Sequence, residues 1–199
     1  MRYILKSILT LYLTSYCPIP EAGFLAGSVN NSAAEVDLTT EGTMDWVQYG
    51  DWSLNRKANV KPQISNYMVI GDVYERQYNR DLRPMTWTDG TPMSSESNNR
   101  IGIYVDHLGM GFSFSVPADR TERRLIVHVG GWNSGGVLKA RLSDDSAPSY
   151  TNFHRTINGP YDLNYTLIYR AGAVNESLII TWRMNTGRGG ITLSGASLQ

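Results

Sequence analysis

Three short stretches of this 199-residue chain set aromatic rings beside planar hydrogen-bonding side chains. Trp46-Val47-Gln48-Tyr49-Gly50-Asp51-Trp52-Ser53-Leu54-Asn55-Arg56-Lys57 is the densest. Trp87-Thr88-Asp89-Gly90 puts a ring just before a turn, and Gly130-Gly131-Trp132-Asn133-Ser134-Gly135-Gly136 flanks a Trp-Asn pair with glycines. Sugars present apolar C–H faces that stack on Trp or Tyr, and hydroxyls that pair with Asn, Asp, Arg or Lys. An indole offers a large apolar face with one polar atom. An Arg fork gives directed donors that are costly to leave unpaired. The expected cleft therefore gathers Trp52, Asn55, Arg56, Trp132 and Asn133, with Trp87 and Asp89 at its rim. The competing reading puts Trp46 and Trp87 in the core and makes Trp132 a plug at one end of the fold.

Catalytic patterns are missing. The chain has no G-x-S-x-G elbow, no H-E-x-x-H and no P-loop. Of its three histidines, His128 falls on the opposite face of a strand from Leu125, Val127 and Val129 and reads as a sheet-surface residue. His107 lies in the Asp106-His107-Leu108-Gly109 turn. Glycoside hydrolysis needs two carboxyl groups at a set separation, and no pair of acids stands out beside the aromatics. The expectation is a non-catalytic domain.

Lys plus Arg equals Asp plus Glu at 18 each, so no net field draws nucleic acid or an anionic membrane. Cys17 is the single cysteine, which excludes an intrachain disulfide. Residues 1–17 hold Arg2 and an apolar run from Ile8 to Tyr16. They read as a secretory signal or as a poorly ordered extension. The run is too short and too polar to span a bilayer, and no later segment is a candidate. Residues 18–34, rich in Gly, Ala, Ser and Asn, read as a linker. Residues 35–199 read as one domain.

In that body the hydrophobic period is two. Phe112 and Phe114 alternate with Ser113 and Ser115. Leu125, Val127 and Val129 share a face, as do Leu138, Ala140 and Leu142. Leu163, Tyr165, Leu167 and Tyr169 form another row, and Leu178, Ile180 and Trp182 another. Turn chemistry at Asp89-Gly90, Gly130-Gly131, Gly135-Gly136, Asn158-Gly159-Pro160 and Gly187-Arg188-Gly189-Gly190 separates the runs. The pattern predicts an all-β, two-sheet antiparallel sandwich. Phe112, Phe114, Leu125, Val127, Leu167, Leu178 and Ile180 are its expected core.

The runs Gly111-Phe112-Ser113-Phe114-Ser115-Val116-Pro117, Arg124-Leu125-Ile126-Val127-His128-Val129-Gly130 and Lys139-Ala140-Arg141-Leu142-Ser143-Asp144, with the closing Gly190–Leu198 strand, resemble the galactose-binding-like jelly rolls of bacterial extracellular proteins. The resemblance covers residues 100–199 well and 35–99 loosely. It implies a jelly roll that binds carbohydrate through loops at one end, in a secreted or cell-surface setting. Jelly rolls of this kind often hold a structural calcium, for which Asp144, Asp145 and Ser146, and by type Asp37, Asp45, Asp51 and Asp162, are candidates; the competing reading makes them solvated turn acids. No other cofactor is expected. The alternative is a structural or adhesive module packing against another protein domain. An aromatic-lined cleft would favour the first reading, and a flat apolar patch the second.

Overall fold

The computed structural model describes residues 22–50, 54–156 and 158–199. The expected leader, Asp51 and Trp52 lie outside the described residues. The chain opens with β1 (Phe24–Asn30), β2 (Val36–Asp37) and a one-turn helix, α1 (Leu38–Glu41). Short strands follow: β3 (Asp45–Gln48), β4 (Asn55–Lys57), β5 (Met68–Ile70), β6 (Arg76–Tyr78), β7 (Met85–Trp87), β8 (Gly90–Thr91), β9 (Glu96–Asn99) and β10 (Gly102–Val105). Longer ones complete the fold: β11 (Gly111–Ala118), β12 (Arg123–Leu142), β13 (Tyr150–Arg155), β14 (Pro160–Arg170) and β15 (Glu176–Leu198).

Two strands organise the rest. β12 pairs antiparallel with β15 from Leu125↔Leu198 to Leu142↔Leu178. On its other edge β12 carries β14 along Arg123–Trp132 and β13 along Gly135–Ala140. On its other edge β15 carries β11, then β10, then β3. The ribbon thus supplies the middle of two half-sheets. Inward side chains of both halves lie in one cluster: Phe112, Phe114 and Val116 from β11, Leu125 to Val129 and Leu138 to Leu142 from β12, Leu163 to Tyr169 from β14, and Leu178 to Trp182 from β15. This is a β-sandwich whose sheets share strands at a corner, which bends and bulges make. The expected fold class and all seven expected core residues are found.

The corner explains where the sequence reading of turns was wrong. Gly130–Gly136 and Gly187–Gly190 were expected as loops and instead lie inside β12 and β15. Register shifts fall between Trp132 and Ser134 and between Gly135 and Gly136. A Cβ on Gly136 would stand 2.1 Å from Cη2 of Trp182, so only glycine lets the bent ribbon close over that indole. A further shift between His128 and Val129 leaves Ser194 unpaired in the ladder. That extra residue puts Ile191, Leu193, Ala196 and Leu198 all inward.

The expected linker is also corrected. Its residues 24–30 form β1, which pairs with β14 from Phe24↔Arg170 to Asn30↔Asn164. The ladder uses backbone groups and needs no apolar side chains, which is why composition read this segment as a linker. Gly27 fits because the ring of Tyr150 occupies the space where its Cβ would project.

A second layer covers the outer face of one half-sheet. It contains α1 and the small sheet β2-β7-β9. Asp37 caps α1 by accepting from the Thr39 and Thr40 amides. Val36, Leu38, Trp46, Met85 and Trp87 make a separate small core there.

Two outcomes test this architecture. Phe114→Ala should lower unfolding free energy by about 3–5 kcal/mol in urea titration, the usual loss for a buried Phe. Deleting residues 1–31 should lower the melting temperature clearly, because it strips the ladder from β14. An unchanged melting temperature would show β1 to be a dispensable addition.

Candidate functional site

The expected cleft divides into two places. Asn55 and Arg56 lie on β4, where Arg56 pairs with Val47 and Val47 pairs with Ala196. Trp132 pairs with Gly190. Six residues of β15 separate the two positions, about 20 Å along a strand. The described members of the expected set therefore do not converge.

The first place is structural. Trp87 is 1% exposed and donates its indole N–H to the Met93 carbonyl at 3.0 Å. Trp46 is fully buried, tilted against Trp87 at 5.5 Å. Asp89 accepts from Trp46 Nε1 at 2.9 Å, Thr39 Oγ1 at 2.7 Å and Lys57 Nζ at 2.5 Å. Burial opposes its charge, but these three donors hold its carboxyl below the usual range. Asn55 is buried and donates to Gln48 Oε1. Arg56 donates to the Ile64 carbonyl at 2.8 Å and to Asn66 Oδ1 at 2.6 Å. These four side chains are spent on holding the second layer and its loops. Spacing alone cannot tell a donor facing solvent from one facing a buried carbonyl.

The second place is the corner. Trp132 is half-buried within β12, not on a loop, and its indole lies against Gly190, where a Cβ would stand 2.6 Å from Cη2. Tyr78 stacks on it at 5.3 Å with the planes 11° apart, and Tyr104 meets it edge-on at 5.0 Å. The Arg76 guanidinium lies 5.7 Å from the centre of the Tyr104 ring. One residue further, Asn133 adopts φ 46° and accepts from the Gly159 amide through Oδ1 at 2.7 Å. There the bend opens a pocket of about 330 Å³ lined by Asn133, Ser134, Arg155, Thr156, Asn158, Thr186, Gly187 and Arg188. Gly187 sits at φ 96°, a conformation other residues rarely take. No aromatic ring lines the pocket, and the aromatic trio is joined to it through Trp132, the chain neighbour of Asn133.

Of the expected residues, Asn133 lines the pocket and Trp132 borders it. Arg155, Asn158, Thr186 and Arg188 were missed. Their signal was present: Asn158 and Arg188 stand in the two glycine turns, and Arg155 ends a strand beside one. Tyr78 and Tyr104 had none, because only the pairing of β6 with β10 and of β10 with β15 brings them to Trp132.

A buried polar layer lies between the corner and α1. His128 is 0% exposed, which corrects its reading as a surface residue: the outer face it occupies is roofed by α1. Its Nε2 lies 2.6 Å from Glu41 Oε1 and its Nδ1 2.7 Å from Asn164 Oδ1. Ser197 also donates to Glu41. Burial works against the Glu41 charge, yet His128, Ser197 and Arg83 lower its pKa on balance. Arg83, wholly buried, donates to Asn164 Oδ1 at 2.8 Å and lies 3.7 Å from Asp81. Burial pushes the Asp162 carboxyl up to about 7, and Asp81 pushes the same way.

Of the remaining metal candidates, Asp45 and Asp144 are spent on backbone, and Asp145 is exposed, 3.9 Å from Arg141. Asp45 accepts from the Gln63 and Ile64 amides. Asp144 accepts from Ser146 and Gly172. Asp145 stands at φ 51° in that turn. Among the described residues no three His, Cys, Asp or Glu side chains are grouped to hold a metal ion. Among the described residues no helix is long and apolar enough to cross a membrane.

No protein-family model and no curated protein matches the chain. Solved structures of similar fold are found at low similarity. The carbohydrate-binding module TmCBM61, solved with β-1,4-galactotriose, is 12% identical with a TM-score of 0.45 over 68% of this chain and 88% of that one. The enzymatically active domain of bacteriophage CBA120 tailspike protein 4 is 13% identical with a TM-score of 0.43 over 68% of this chain. The CBM22-1-GH10 modules of Clostridium thermocellum endo-1,4-β-D-xylanase 10B, solved with xylohexaose, are 12% identical with a TM-score of 0.40 over 67% of this chain. The chain spans 20% of the tailspike structure and 26% of the xylanase structure.

The Asp162 carboxyl makes a testable prediction. Its pKa is higher folded than in the unfolded chain, where Asp titrates near 4. The native state therefore holds the proton more tightly, and this contribution to stability is full below about 4. It is lost as pH rises to about 7. The melting temperature should fall between pH 4.5 and 7.5, and Asp162→Asn should flatten that fall. An equal fall in the variant would assign the dependence elsewhere.

Proposed function

We propose that this chain is a carbohydrate-binding domain whose site is the pocket at the corner of the β12–β15 ribbon. One observation carries the reading. Every described side chain lining that pocket can form hydrogen bonds: Asn133, Ser134, Arg155, Thr156, Asn158, Thr186 and Arg188. A sugar ring needs that density of donors and acceptors, since each hydroxyl can both give and take a bond. A volume of about 330 Å³ is at the lower end for small-ligand sites and suits one or two sugar rings. Tyr78, Trp132 and Tyr104 give the neighbouring surface an apolar side for the C–H face of a further ring. A secreted or cell-surface setting belongs to the same proposal and is supported by the apolar run after Arg2 and Lys6.

A second reading, an adhesive module docking on another protein, has its own support. Among the described residues β13 pairs with β12 alone, and Phe153 on it is 70% exposed. A strand with an unpaired edge invites a partner strand.

A glycan array probed with the full chain separates the two. The carbohydrate reading expects binding to a defined set of glycans, abolished by Asn158→Trp, which fills the pocket from its exposed rim. Binding that survives Asn158→Trp, or an array with no signal, would leave the adhesive reading in its place.

A further inference from the structure

We infer that the sugar accepted by the corner pocket carries a carboxylate, as a uronic acid residue does. This rests on the carbohydrate reading of the same pocket and adds the class of ligand. The pocket wall holds two guanidinium groups, Arg155 and Arg188, and no Asp or Glu among its described lining residues. Neither guanidinium has a hydrogen-bond or ion-pair partner among the described residues. Arg56, Arg83, Arg100 and Arg123 are each tied to protein acceptors. In a chain with equal numbers of acids and bases, two cations left without counter-charges around one concavity mark a place for an external anion.

The strand register places the two cations on opposite walls. Gly135 pairs with Arg155 on one side and with Thr186 on the other. Arg155 and Thr186 are thus two strand spacings apart, about 10 Å. Arg188 follows two residues later, beyond the Gly187 turn. Two arms from opposite walls can reach one planar group lying between them, and a guanidinium fork matches a carboxylate with two parallel N–H···O bonds. Asn133, Thr156, Asn158 and Thr186 remain for the ring hydroxyls.

The test uses calorimetric titration of the full chain with three probes: an oligo-uronate, its methyl ester, and a sulfated neutral oligosaccharide of the same length. The oligo-uronate should bind at least tenfold more tightly than its ester, and added salt should erode that preference. Arg155→Gln and Arg188→Gln should each weaken uronate binding by roughly tenfold or more, the size of a hydrogen bond to a charged group. Each should weaken ester binding much less. Unchanged melting temperatures would show that these exposed positions leave the fold intact. Equal binding of acid and ester, equal losses for both in the Arg variants, or preference for the sulfated probe would overturn the carboxylate inference. If Asn158→Trp still abolished binding in those cases, the carbohydrate reading would stand. Failure of all three probes and of the array would remove both.

Discussion

The pairing of β12 with β15 carries the whole large sheet. β14 and β13 attach to β12, and β11, β10 and β3 attach to β15. The outer strands hang from those: β1 on β14, β5 on β11, β6 on β10, β4 on β3 and β8 on β4. A single bent ribbon therefore decides both the sandwich and the position of its corner. The bend depends on glycines where a side chain would strike backbone or an indole, as at Gly136 against Trp182.

The architecture was legible in the sequence because burial has a period of two. Phe112/Phe114, Leu125/Val127, Leu163 to Tyr169 and Leu178/Ile180 all face inward as their alternation requires. What misled the reading was glycine. Gly130–Gly136 and Gly187–Gly190 look like loops because glycine is the residue of turns, yet a strand that must bend beside another uses glycine for the same steric reason. β1 went unseen for the opposite cause, since an edge strand holds on through backbone groups and leaves little mark in composition.

The site was only partly legible. Aromatic–amide clusters pick out residues able to bind a ligand, and such residues serve equally well inside the protein. Asp89 shows this most clearly: its neighbours Lys57, Trp46 and Thr39 use its carboxylate as an internal anchor. Asn133 entered the expected set as half of a glycine-flanked Trp-Asn pair, and it lines the corner pocket. Arg155 and Arg188 come from different strands, and no local pattern announces that two turns will meet. The buried layer of His128, Glu41, Asn164, Arg83, Asp81 and Asp162 was hidden for a related reason. A strand's outer face reads as solvent-facing until another layer is known to cover it.

The place of β15 in the chain also shapes how the protein is made. β3, β10, β11 and β12 all need β15 as partner, and it follows all four in sequence order. During synthesis the earlier strands leave the ribosome with their central edge unpaired. Closure by such distant contacts is slow, on the order of milliseconds to seconds for sheet proteins. Until then Leu125, Val127, Phe112 and Phe114 stay exposed on open strands, in the state most prone to association. The newborn chain depends on holding those strands apart until β15 arrives.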